Sequence, residues 1–328
     1  MDNGIQVEGL SKHFKVHERE AGLGGAVRSL FQRKFRTVRA VEDISLHIEP
    51  GEIVGFLGPN GAGKTTTMKM LTGLLYPTSG EIRVGGYVPF EQKAAFKKRI
   101  TLVMGQKSQL IWDIPAMETF LVNQAIYEIP DEPFREMVGE LTDLLELEPL
   151  LKKPVRNLSL GERMKCELAA ALLHRPDIIF LDEPTIGLDV NMQETVRRFI
   201  KDYNERFGAT VLLTSHYMAD VTALCKRVII INHGQILFDG DLASLANTLA
   251  PYKVAKLVLT ERLPREALTV YGEVLHYEYP QVEIKLPRAE VSTISARLLA
   301  ELPVADFTVE DPPMEDVIAL AFARETSA

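Results

Sequence analysis

Eight consecutive residues, Gly58-Pro59-Asn60-Gly61-Ala62-Gly63-Lys64-Thr65, follow the pattern G-x-x-x-x-G-K-[ST]. Glycines at this spacing let backbone N–H groups converge on phosphate oxygens at the start of a helix, while Lys64 adds a cation and Thr65 a hydroxyl for a divalent metal ion. Asn60, Gly61 and Thr66 complete the candidate phosphate-binding set. A second candidate lies far along the chain, where Asp182 ends the run Ile178-Ile179-Phe180-Leu181 and Glu183 follows it. That run is apolar at successive positions, as in a parallel strand covered on both faces, and ligands of such sheets collect at the carboxyl ends of the strands. There Asp182 would hold Mg²⁺ and Glu183 would orient and deprotonate a water attacking a terminal phosphate.

Other polar residues carry weaker signals. Leu158-Ser159-Leu160-Gly161-Glu162 precedes a helical stretch from Arg163 to His174. Ser159-x-x-Glu162 reads as a capping box, and a helix N-terminus with a Ser hydroxyl and a Gly also suits an anion; both readings stand together. Gln106 follows the apolar run Ile100 to Met104, and His216 follows Thr210 to Thr214, so each would emerge at a strand end. Cys166 and Cys225 lie in apolar stretches without C-x-x-C spacing, which supports neither a disulfide framework nor a zinc site and fits a reducing compartment.

The elements that must position these residues alternate short apolar strands (Ile53 to Leu57, Ile178 to Leu181, Thr210 to Thr214, Val228 to Ile231) with helices such as Thr66 to Leu75, an α/β layer pattern. At 328 residues the chain exceeds one average domain, and 46% hydrophobic with 25% charged residues is ordinary globular composition. We place a large domain at 1–245 and a small accessory domain at 246–328, where the alternating run Val282 to Leu286 and a helical Ser292 to Leu302 change the texture. The net charge of −8 argues against nucleic acid as a partner. No signal-peptide pattern opens the chain, and its apolar runs fall short of the roughly 20 residues needed to span a bilayer. An inserted segment near 16–39 contains Arg28, Arg33, Lys34, Arg36 and Arg39, with Val27, Leu30, Phe31, Phe35 and Val38 at helical spacing. The expectation over 27–39 is a basic amphipathic helix able to contact anionic lipid.

Taken in order, Phe14, the Gly58 to Thr65 loop, Gln106, Leu158 to Glu162, Asp182-Glu183, Asp189 and His216 resemble the nucleotide-binding subunit of ABC transporters over about residues 5 to 245. The resemblance implies a P-loop NTPase core with a parallel sheet, a helical signature subdomain and a small C-terminal α+β appendage. It implies ATP as substrate and Mg²⁺ as cofactor, with Thr65, Gln106 and Asp182 about the metal. Phe14 looks like the aromatic that stacks on adenine, Glu183 the base, Gln106 the residue coupling metal and water to the permease, and His216 the sensor of the γ-phosphate. Ser159, Gly161 and Asp189 would meet the nucleotide of a second subunit, most simply in a homodimer. The partners implied are integral-membrane permease subunits, which would place the chain on the cytoplasmic face of the membrane. Pro312 to Val317 and the preceding appendage resemble ATPases that drive separate export permeases, favouring export over import. The signature departs from the usual LSGGQ, with Leu160 in place of the first glycine and Glu162 in place of Gln.

Overall fold

In the computed structural model, residues 4–17, 35–105 and 107–325 are described. The chain divides between Asp239 and Gly240 into two compact units.

The strands are β1 (Ile5–His17), β2 (Phe35–Ile48), β3 (Ile53–Leu57), β4 (Ser79–Val84), β5 (Ile100–Met104), β6 (Ile178–Asp182), β7 (Thr210–Thr214), β8 (Arg227–Asn232) and β9 (Gln235–Asp241). The principal helices are α1 (Lys64–Leu71), α2 (Ala116–Tyr127), α3 (Asp131–Leu145), α4 (Leu160–Leu172), α5 (Val190–Phe207) and α6 (Met218–Leu224). A six-stranded sheet has the order β5-β6-β7-β3-β8-β9, and its pairs from β5 through β8 are parallel. Its strands are short and apolar because both faces are covered: Val54, Phe56, Phe180 and Leu212 are buried on one face and Ile179, Leu181, Val211 and Leu213 on the other. Four adjacent strands, β5-β6-β7-β3, point their carboxyl ends the same way, which sets the chain after Met104, Asp182, Thr214 and Leu57 side by side.

A three-stranded antiparallel sheet, β2-β1-β4, packs Ile5, Val7, Leu10, Ile44, Ile48 and Ile82 into the same core. Here one expectation is corrected. Phe35 to Arg39 belong to β2, with Val38 opposite Phe14, Arg36 opposite Val16 and Phe35 opposite His17. β1 offers this stretch a backbone partner, and Phe35, Thr37 and Val38 suit a pleated strand, so pairing overrides the helical spacing of the apolar residues. Arg28, Arg33 and Lys34 lie outside the described residues.

The second unit contains α7 (Leu242–Leu249), β10 (Tyr252–Leu259), β11 (Glu273–Glu278), β12 (Gln281–Pro287), α8 (Val291–Glu301), β13 (Val304–Glu310) and α9 (Met314–Glu325). Its antiparallel sheet has the order β11-β12-β10-β13. Alternation dictates the packing: Ala255, Leu257, Val282, Ile284 and Leu286 form a core with Ile294 and Leu298 of α8, while Lys256 and Lys285 belong to the other face. Among the described residues no helix is long and apolar enough to cross a membrane.

Candidate active site

The loop from Gly58 to Gly63 joins β3 to α1. At Gly58 an added Cβ would lie 2.2 Å from the Ile231 carbonyl oxygen, and at Gly63, with φ +111°, it would lie 2.5 Å from that of Ala40. Both positions therefore require glycine for backbone approach, and Gly63 also for its left-handed conformation. Gly63 is the N-cap of α1, so the first amides of that helix open toward the loop. Lys64 is only 7% exposed, and its Nζ donates to the carbonyl oxygens of Gly58 (2.6 Å) and Pro59 (3.1 Å). Burial lowers its pKa from the usual lysine value, while the nearby charges of Glu183 and Asp182 act in the opposite direction.

Beside this loop the ends of β6 and β7 bring the carboxylates into line. Thr65 Oγ1 donates to Asp182 Oδ2 at 3.0 Å, and Thr214 Oγ1 donates to Asp182 Oδ1 at 2.7 Å. Thr65 and Asp182 thus present a hydroxyl and a carboxylate side by side, a hard-oxygen pair of the kind Mg²⁺ prefers. Glu183 has φ +57°, unusual for a side chain of its size, and its N–H donates to Thr214 Oγ1 at 3.1 Å. Backbone conformations of this kind persist where the surroundings fix them, commonly at reactive sites. Glu183 Oε1 lies 2.8 Å from Nε2 of His216, whose side chain is 41% exposed. A carboxylate only accepts hydrogen bonds, so His216 Nε2 is the donor in this pair. Gly105, at the end of β5, donates to the Asp182 carbonyl oxygen at 3.0 Å; Gln106 itself lies outside the described residues.

Phe14 is exposed, so it is not a core residue, and Lys12 Nζ sits 5.2 Å from its ring centre while donating to the Tyr76 carbonyl oxygen at 2.7 Å. Ser159 forms the expected capping box at the start of α4. Its Oγ accepts from Glu162 N at 3.2 Å, and Glu162 Oε2 accepts from Ser159 N at 2.8 Å. That backbone bond, aided by the Ser159 hydroxyl and Lys153, holds the Glu162 carboxyl below its ordinary range. Leu160 is exposed, and Gly161 faces Met192, whose Cε would be 2.9 Å from an added Cβ. Asp189 caps α5, its Oδ1 accepting from Met192 N at 3.0 Å. Within one chain the structure brings together Lys64, Thr65, Asp182, Glu183 and His216; among the described residues no hydrogen bond joins Ser159, Gly161 or Asp189 to that group.

Two contributors escape sequence reasoning. Thr214 reads as the last residue of a strand, yet its hydroxyl links Asp182 to the Glu183 amide. Asp220, 1% exposed on α6, accepts from Ser215 Oγ (2.6 Å), Arg197 Nη1 (2.8 Å) and Thr185 Oγ1. It thereby ties the residue before His216, the turn after Glu183 and helix α5 to one buried carboxylate. Its only sequence signal is an acidic residue in the first turn of a helix, four positions after His216.

The ABC transporter family model matches residues 41–186, and the model for the C-terminal domain of EvrA-like ABC transporters matches residues 251–310. The ABC transporter ATP-binding protein NatA of Bacillus subtilis (strain 168) is 39% identical over 215 residues, covering 66% of this chain and 87% of that protein. The Nod factor export ATP-binding protein I of Burkholderia pseudomallei (strain 1710b) is 34% identical over 209 residues, covering 64% of this chain and 68% of that protein. Among solved structures, an ATP-binding subunit of an ABC transporter matches with a TM-score of 0.62 at 22% identity, covering 74% of this chain and 92% of that one, a likeness of fold. The chain therefore belongs to the ABC transporter ATP-binding proteins, the ATP-hydrolysing cassettes that serve as subunits of transporters.

Proposed function

We propose that this cassette hydrolyses ATP with Glu183 as general base and drives export through a separate permease. The observation that carries the reading is the placement of Glu183, held at positive φ and hydrogen-bonded to His216, beside the Thr65–Asp182 pair and the Lys64 loop. In this reading the amides of Gly61 to Thr66 and Lys64 Nζ hold the phosphates, and Phe14 stacks on adenine. Thr65 and Asp182, with Gln106, would hold Mg²⁺, which would neutralise phosphate charge. Glu183 takes a proton from water as the water oxygen bonds to the γ-phosphorus, and the bond to the β-phosphate oxygen breaks, giving ADP and inorganic phosphate. His216 Nε2–H fixes the carboxylate on the attacking water, and Lys64 offsets charge on the leaving side.

Ser159, Gly161 and Asp189 stand apart from this group, which supports a composite site completed by a second copy of the chain. Ser159 Oγ accepts from Glu162 N, and its O–H, which supports the Glu162 carboxylate within one chain, would turn to donate to a phosphate of the partner's nucleotide. Kinship with an ATP-binding protein named for Nod factor export supports the export reading, in which the cassette would work at the cytoplasmic face of the membrane. The permease would rest on Ile111 and Trp112, which are half exposed while Leu110 before them is buried.

Mixing two inactive variants tests the composite site. Lys64→Ala and Ser159→Ala chains should each lose phosphate release, and an equimolar mixture should recover about a quarter of the wild-type rate, because half of randomly formed dimers hold one complete site of two. No recovery after verified subunit exchange would count against it.

A further inference from the structure

Glu167 lies on α4, eight residues after Ser159 and about 12 Å along the helix axis. It is 5% exposed, and among the described residues no cation pairs with it. A carboxylate so deep is costly unless donors meet it. Among the described residues every donor comes from one short loop, Ser108 to Leu110. Ser108 Oγ donates to Oε1, Gln109 N to Oε2 at 2.9 Å and to Oε1 at 3.1 Å, and Leu110 N approaches Oε1 at 3.5 Å.

The same loop is held again one helical turn earlier. Arg163, which shares the helix face of Glu167, places its guanidinium 5.5 Å from the centre of the Trp112 ring. On the other side of Ser159, Arg156 N donates to the Trp112 carbonyl oxygen at 3.0 Å, Arg156 Nη1 meets Asp113 Oδ1 at 2.8 Å, and Val155 N donates to the Ile114 carbonyl oxygen at 3.1 Å. Segment 108–114 is thus fastened both before and after Ser159. The turn from Leu158 to Glu162 lies between the two attachments.

We propose that Glu167 is a positioning residue for hydrolysis. By clamping the loop Ser108–Trp112 to α4, it sets the orientation of the helix end that carries Ser159 and Gly161. A push on exposed Ile111 and Trp112 then moves the start of α4 as one piece rather than deforming the loop. The inference rests on the reading that Ser159 acts on a nucleotide, and it adds a side chain that touches no nucleotide itself.

The test uses the full chain. Glu167→Gln keeps the shape but turns an amide N–H₂ toward donors. Hydrogen exchange at the Gln109 and Leu110 amides should quicken at least about tenfold, kcat for ATP should fall about fivefold or more, and KM should stay within about twofold, since the phosphate loop is untouched. Ser108→Ala, at an exposed position, should move both readouts the same way by less, and added to Glu167→Ala it should bring no further loss; it also carries the test should Glu167→Gln not fold. Unchanged exchange, faster exchange with unchanged kcat, or a raised KM at constant kcat would overturn the proposal. Ser159→Ala in the same assay separates the two ideas. Wild-type turnover in Ser159→Ala means the reading of the signature turn has failed, whereas loss there with none in Glu167→Gln means only the clamp has.

Discussion

The two sheets of this protein use charge in opposite ways. In the six-stranded sheet the four neighbouring strands β5, β6, β7 and β3 are apolar along their length, and charged or ionisable groups appear where they stop: Lys64 past β3, Asp182 at the end of β6 with Glu183 after it, and His216 past β7. In the four-stranded sheet Lys256, Lys285, Glu273 and Glu310 lie within the strands on one face and meet across the ladder: Lys285 with Glu273 at 3.0 Å and Lys256 with Glu310 at 2.5 Å. The second arrangement neutralises charge where it stands. The first collects a cation, two carboxylates and an imidazole at neighbouring strand ends. Placement at a strand end, more than the number of charges, separates chemistry from solubility.

Substitutions should widen that contrast. Lys64→Ala should lower phosphate release by about 10²–10³-fold, the range for losing one well-placed charge-stabilising donor; equal turnover in the variant would remove the loop from the mechanism. Below that comes a buried group in the same unit with no catalytic use. His174, stacked on Tyr127 at 3.8 Å, is lowered to about 4 from 6.5 by burial, against the pull of its bond to the Ile100 carbonyl oxygen. The unfolded chain binds a proton there more readily, so stability should fall as pH drops from about 6.5 to about 4, by up to about 3 kcal/mol at roughly 1.4 kcal/mol per pK unit. His174→Gln, which keeps a donor for Ile100, should flatten that slope in urea unfolding at neutral and acid pH; an unchanged slope would assign the acid loss to other groups.

Phe14→Ala should weaken ATP binding by about 1–3 kcal/mol, as for other aromatic stacks on bases, while Phe14→Tyr should not. Calorimetry decides it, and a lowered melting temperature with unchanged binding would make Phe14 a structural residue. Glu273→Gln is the smallest change. Breaking an exposed cross-strand pair should cost about 0.5 kcal/mol or less and leave ATP turnover alone, and a larger loss in chemical denaturation would show that the second sheet depends on its charges.

The same contrast explains what the sequence reveals. Strands buried on both faces leave unbroken apolar runs, so Ile53 to Leu57 and Thr210 to Thr214 are visible with their true limits. The glycines of the phosphate loop and the Ser159–Glu162 capping box are local patterns, and both form as spaced. Phe35 to Arg39 mislead because helical spacing arises by chance in a short segment, while the strand residues that decide their conformation lie 18 to 26 positions earlier in the chain. Glu167 and Asp220 leave no periodic trace at all. Their partners stand 57 to 59 and 5 to 35 residues away, and a buried carboxylate looks like any surface acid until its donors are in place.

The central claim is that Glu183 deprotonates the attacking water while the rest of the site binds the nucleotide. Single-turnover phosphate release and ATP binding, measured together on Glu183→Gln, test it most directly. The account predicts ATP binding within about twofold of wild type and hydrolysis lowered by about 10²–10⁴-fold, the range for a general base. Phosphate release near the wild-type rate, with binding intact, would contradict it.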